Sequence, residues 1–155
     1  MKATMTFLSC LLCIQLFACC SKVSTAGNSY DCSTITDSMR IRITIGKNTF
    51  IASLYNNAAA KAFMSGLPMT IDMIELNGNE KYFDLSNHLP SNPSNPRNIQ
   101  AGDLMLYGSN TLVLFYKSFS TSYSYTPMAR IHDASRLPAA LGSGNVKVSF
   151  VLVSR

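Results

Sequence analysis

Met39-Arg40-Ile41-Arg42-Ile43-Thr44-Ile45, then Gly46-Lys47-Asn48, then Thr49-Phe50-Ile51-Ala52-Ser53-Leu54 is the stretch that decides the fold. From Met39 to Ile45 apolar and polar residues alternate, the period of a half-buried strand. Gly46-Lys47-Asn48 is a turn signal, and the chain returns as a second strand with Phe50, Ala52 and Leu54 on one face. A hairpin that hides one face needs other strands to cover it, so a strand-rich domain is expected to begin near Met39.

The rest of the chain supplies them. Asn56-Asn57 offers an N-cap before the helix-forming run Ala58-Ala59-Ala60-Lys61-Ala62-Phe63-Met64, which Gly66 should end in the left-handed conformation, with Pro68 beyond it. Residues 69–76 read as a strand with Ile71 and Met73 inward. Asn77-Gly78 is a tight-turn signal and residues 80–85 a short return strand. Residues 87–98 (NHLPSNPSNPRN) carry three prolines, which exclude helix and central strand and predict a long surface loop. Gly102-Asp103 opens a strand over residues 104–107. Residues 111–117 (TLVLFYK) form a near-continuous apolar run, as expected of a strand buried on both sides. Residues 118–126 (SFSTSYSYT) are polar but carry Phe119, Tyr123 and Tyr125. Residues 128–131 form another short strand. Asp133 or Ser135 should cap a short helix that stops at Gly142, and residues 146–153 form the last strand. About eight strands and two short helices are consistent with a mainly β domain that closes its sheet into a barrel.

Composition narrows the function classes. The chain has 155 residues and a net charge of +5, but only 14% of its residues are charged and the bases are scattered. Nucleic-acid binding calls for a basic stripe, and none is present, so no nucleic-acid partner is expected. The glycine patterns of phosphate and dinucleotide loops and the G-x-S-x-G elbow are absent. His88 and His132 are the only histidines, and neither has ligand-spaced neighbours, so no metal and no cofactor are expected. Asp103 reads as a turn acid bonded to backbone donors and Glu80-Lys81 as a solvated pair.

The amino-terminal residues read as an export signal. Lys2 precedes the apolar run of residues 7–17 (FLSCLLCIQLF), of signal-peptide length and too short to span a bilayer. Leu16-Phe17-Ala18-Cys19 resembles the bacterial lipobox, which implies lipidation of Cys19 and anchorage at the cell envelope as a lipoprotein. The alternative is ordinary cleavage near Ala18, leaving a periplasmic or secreted protein. Cys10 and Cys13 leave with the leader on either reading, and Cys20 and Cys32 either pair or stay free. Three segments are therefore expected: residues 1–18 a signal peptide, 19–37 a flexible tether, and 38–155 the barrel domain. The lipid is the only contact with a membrane that this organisation foresees.

Four blocks, in order, carry a family resemblance: Ala58-Ala59-Ala60 through Leu67-Pro68-Met69, then Glu80-Lys81-Tyr82, Gly102-Asp103-Leu104-Met105-Leu106-Tyr107-Gly108, and Leu112-Val113-Leu114-Phe115-Tyr116-Lys117-Ser118-Phe119. Together they resemble the bacterial cyclophilin-like domain family over residues 39–153. The resemblance implies a cyclophilin-type barrel. A peptidyl-prolyl isomerase would need an apolar pocket and a placed cation to bind the twisted amide, and Phe115, Phe119, Met64 and Arg130 are the residues available for one. The chain has no tryptophan, and its arginines do not align with the cyclophilin catalytic arginine. No catalytic residue is assigned, and a binding domain is the expected class. Its groove for a peptide or small molecule is expected near Phe119, Tyr123, Tyr125 and Arg130, with Tyr107 and Met64 as further candidates. A divergent isomerase acting on exported proteins and a purely structural or interaction protein are the alternatives.

Overall fold

The structure is a computed structural model that describes residues 35–153, with side chains from residue 39. The leader, Cys19, Cys20 and Cys32 lie outside the described residues. The elements are β1 (Ile35–Ile45), β2 (Asn48–Tyr55), α1 (Ala58–Ser65), β3 (Met69–Leu76), β4 (Glu80–Asp84), β5 (Asn98–Ile99), β6 (Asp103–Tyr107), β7 (Thr111–Phe115), β8 (Phe119–Ser120), β9 (Thr126–Ile131), α2 (Leu137–Leu141) and β10 (Val146–Leu152). Eight of the strands close into an antiparallel barrel in the order β1-β10-β3-β4-β7-β6-β9-β2, the mainly β fold expected, with no free edge. β5 and β8 pair with each other as a small flap.

The hairpin that opens the domain sets the inner face. Ile43 lies opposite Phe50 and Ile41 opposite Ala52, all buried. β1 already begins at Ile35, paired with Tyr55, so backbone pairing starts inside the stretch expected to be tether. The alternation continues around the barrel with Ile71, Met73, Leu104, Leu106, Leu112, Leu114, Val148 and Phe150 in one buried cluster. Phe63 of α1 joins this cluster and meets Phe150 edge-on, ring centroids 5.6 Å apart. Asn57 holds α1 in place: its Oδ1 accepts from the Ala60 amide at 2.8 Å, and its Nδ2 donates to the Pro127 carbonyl at 2.7 Å.

Two local expectations are corrected. Gly66 is not left-handed (φ −89°), because its amide and that of Leu67 bond back to the Phe63 and Met64 carbonyls, a tightened right-handed ending. Neither Asp133 nor Ser135 caps α2, whose N-cap is Arg136 without a side-chain bond. Pro138 in the first turn sets that helix start, and the Asp133 carboxylate instead accepts from the Ser135 amide at 2.9 Å.

β7 explains its own apolar run. Leu112 and Leu114 face the barrel interior, while Val113 and Phe115 face outward into a second buried cluster with Ile99, Met105 and Tyr125. Phe119 and Tyr82 pack against that cluster, so the flap roofs the outer face of β6 and β7. The proline-rich segment is tied down beside it. Ser94 and Tyr125 exchange backbone hydrogen bonds of 2.9 and 3.0 Å, and the Asn92 amide donates to Thr126 Oγ1 at 3.0 Å.

Gly102 is where the backbone most needs glycine. Its φ is +94°, and a Cβ there would lie 3.0 Å from the Ala134 Cβ and 3.2 Å from the Ile131 Cβ. Its amide donates to the Phe115 carbonyl and its carbonyl accepts from Ile131, so the strain has no route of relief. Gly102→Ala is expected to lower unfolding free energy by about 2 kcal/mol, read from the urea midpoint at unchanged m-value.

Candidate functional site

A groove of about 400 Å³ lies on the outer face of the barrel where β4, β7 and β6 run side by side. Strand period places its lining. From β4, Glu80, Tyr82 and Asp84 point outward, whereas Lys81 and Phe83 turn the other way. β7 contributes Thr111 and Val113, and β6 contributes Tyr107. Leu76 and Asn77 close one side, and Tyr123 and Tyr125, on the segment after the flap, close the other.

The aromatic wall is a contiguous set of rings. Tyr107 meets Tyr123 edge-on at 6.2 Å and Tyr125 at 5.6 Å, and Tyr125 stands perpendicular to Phe115 at 5.4 Å. Tyr125 is buried, while Tyr107 and Tyr123 are 47% and 62% exposed and form the open side. Burial and then the charge of Glu80 push the Tyr125 phenol up from its ordinary value. At the far end the Thr111 hydroxyl donates to the Asp84 carboxylate at 2.6 Å.

Glu80 and Lys81 are not the solvated pair expected. Both are buried, on opposite sides of the sheet. Lys81 is turned inward and bonds to the Glu75 carboxylate and to the carbonyls of Gly142 (2.9 Å) and Gly144 (2.7 Å). The Tyr116 hydroxyl also donates to Glu75, at 2.8 Å. Burial alone would raise the Glu75 carboxyl, but Lys81, Tyr116 and the Gly78 amide together hold it below the usual carboxylate value. Burial and its bond to Glu75 push the Tyr116 phenol up to about 12.

Glu80, on the groove side, has a different environment. The residue is 9% exposed, and no hydrogen bond or ion pair joins its side chain to any described residue. Burial, then the charge of Glu75, hold its carboxyl above the usual carboxylate range. The other titratable groups lining its groove are Asp84, Tyr82, Tyr107, Tyr123 and Tyr125. Because the native state holds the proton more tightly than the unfolded chain, stability is complete at low pH and falls as pH rises through the native value. Glu80→Gln is therefore expected to melt higher than the parent at pH 7, with the difference closing by pH 4, measured by calorimetry.

Three of the six candidate residues, Tyr107, Tyr123 and Tyr125, line the same groove. The others lie elsewhere. Phe119 sits behind the wall, 5.7 Å from Phe115. Arg130, opposite Asp103 in the β6–β9 register, is ion-paired with it, and Asp103 also accepts from the Gln100 amide as a turn acid should. Met64 packs against the large barrel cluster. None of Met64, Phe115, Phe119 and Arg130 lines the groove. Glu80, Tyr82, Asp84 and Leu76 were missed, although the period of residues 80–84 already put 80, 82 and 84 on one face. His88 Nδ1 lies 2.6 Å from the Ser109 hydroxyl and His132 Nε2 lies 2.7 Å from that of Ser53. Among the described residues no group of three or more His, Cys, Asp or Glu side chains gathers at metal-binding distance.

No curated protein matches the chain. The family model described as "Cyclophilin-like family" matches residues 43–151, which span the barrel from β1 to β10 and include every residue of the groove. The chain belongs to the cyclophilin-like family.

Proposed function

We propose that this cyclophilin-like domain is a non-catalytic binding module, held at the bacterial envelope by a lipid on Cys19, that takes a peptide segment or small molecule in the β4–β7–β6 groove. The observation that carries the reading is the groove itself. Its volume, about 400 Å³, is within the range of small-ligand sites, and its walls combine tyrosine rings with few polar groups. Tyrosines with exposed faces, Tyr107 and Tyr123, are suited to such contacts because they present large area at low entropic cost.

A thermal-shift screen of small molecules and short peptides tests the groove. A ligand at about one hundred times its Kd is expected to add roughly 2.7 kcal/mol of stability, and Tyr123→Ala, at an exposed position, should abolish the shift without lowering the unliganded Tm. No shift from any compound overturns the reading. The isomerase alternative rests on the family's barrel alone. A proline-peptide assay is expected to return the uncatalysed rate, and acceleration by the domain would replace binding with catalysis as its role. Fatty-acid labelling is expected in the full chain and lost in Cys19→Ala; label in neither protein would favour the secreted form.

A further inference from the structure

Glu80 stands out among the groove residues because its side chain is largely covered by protein and has no partner there, while its carboxylate oxygens stay open to the groove. The residue is 9% exposed and lines the groove, and its side chain makes no hydrogen bond or ion pair with any described residue. The nearest cation along the strand cannot serve it, since Lys81 points to the opposite side of the sheet and spends its ammonium on Glu75, Gly142 and Gly144. No Lys, Arg or His lines the groove, whereas a second carboxylate, Asp84, does. The groove is thus a negative recess in a chain whose net charge is +5.

The neutral walls point the same way. Tyr82, Tyr107, Tyr123 and Tyr125 surround the recess with aromatic rings, whose faces attract cations, the more so where water is excluded. We propose that the groove selects ligands carrying an ammonium group, which Glu80 meets inside the tyrosine wall. This rests on the binding reading above and names the ligand class for it. The group can be the head of a free amine or quaternary ammonium compound, or a lysine side chain of a bound peptide.

The test uses two matched pairs, titrated by NMR and followed at the Glu80 and Tyr125 amides. Choline is compared with its neutral isostere 3,3-dimethylbutan-1-ol, and acetyl-Ala-Lys-Ala amide with the peptide in which norleucine replaces the lysine. At least one cationic member is expected to bind about tenfold or more tighter than its neutral partner, and which pair responds tells free ammonium from peptide side chain. Glu80→Gln is expected to remove that preference, so that the cationic member binds no tighter than its neutral partner. The variant should fold, since its melting temperature is expected to rise at pH 7. Equal affinities within both pairs, or a cation preference that survives Glu80→Gln, overturn the ammonium proposal and leave the binding reading standing. If no probe binds, the ammonium proposal falls, and the thermal-shift screen alone decides the fate of the groove.

Discussion

Lys81→Ala is expected to lower the free energy of unfolding by about 3–5 kcal/mol, the cost of breaking a buried ion pair from one side. The side chain is 0% exposed and meets three acceptors: Glu75 and the carbonyls of Gly142 and Gly144. Those carbonyls precede β10, so the lysine ties the β3–β4 hairpin to the segment that returns to the barrel after α2. Alanine leaves all three acceptors short of a donor and opens a void where an alkyl stem was packed. Lys81→Met keeps most of the volume and is expected to cost less than alanine. Glu75→Gln also breaks the pair from one side: its amide oxygen can still accept from Tyr116 and Gly78, but the buried Lys81 ammonium loses its counter-charge, so a cost near that of Lys81→Ala is expected. The acid limb supplies an independent sign. Glu75 is held below its ordinary value, so its contribution is complete at neutral pH and lost as pH falls through the native value, below 4.5. Urea titrations at pH 7 and pH 3 measure both effects. The gap between parent and Lys81→Ala should narrow at pH 3, and a constant gap would mean that lost packing, not the ion pair, sets the cost.

The same residue marks the limit of what the sequence reveals. Alternation placed Ile41, Ile43, Phe50, Leu54, Ile71 and Met73 inside, because an apolar side chain has only one favourable side to choose. It failed at Glu80-Lys81, where adjacent opposite charges suggested a pair although neighbours on a strand point to opposite faces. Read strictly, residues 80–84 would have placed Glu80 with Tyr82 and Lys81 with the barrel interior. The run at residues 111–117 announced burial on both sides, but not by what. β5 and β8 have two residues each, too few to show a period, and their pairing joins segments far apart in the chain. Gly66 shows the other limit, because a helix-ending glycine is compatible with either hand, and the choice depended on carbonyls at Phe63 and Met64. Three of the groove's tyrosines, Tyr107, Tyr123 and Tyr125, were legible in the sequence as an aromatic cluster, whereas Tyr82 was not. Arg130 was grouped with them because nothing local shows that Asp103, opposite it on β6, takes up its charge.

Phe115→Ala is expected to cost about 3–5 kcal/mol, and to cost it unevenly across the molecule. Phe115 is fully buried, yet it lies outside the barrel interior, between β7 and the flap, with Phe119 at 5.7 Å and Tyr125 at 5.4 Å. Truncating it removes the ring against which Tyr125 stands, and Tyr125 in turn positions Tyr107. Ile99 of β5, fully buried in the same cluster, is the flap's other apolar anchor. The flap's backbone bonds include those of β5 with β8, the Ser94–Tyr125 bridge, and the Thr121 amide to the Arg97 carbonyl at 2.8 Å. A unit seated on the barrel through one apolar cluster should open separately once the central ring of that cluster is lost. Leu114→Ala is the matched control, one residue earlier on the same strand, inward-facing, and expected to cost about 2–5 kcal/mol. Hydrogen exchange distinguishes the two variants. In Phe115→Ala the amides of Ser94, Thr121 and Tyr125 should exchange far faster than those pairing β1 with β10, and choline, if the parent binds it, should lose affinity. In Leu114→Ala protection should fall throughout the barrel, while any affinity for choline in the folded protein is retained. Uniform loss of protection in both variants would mean that flap and barrel form one cooperative unit, and the groove wall would then be as rigid as the barrel beneath it.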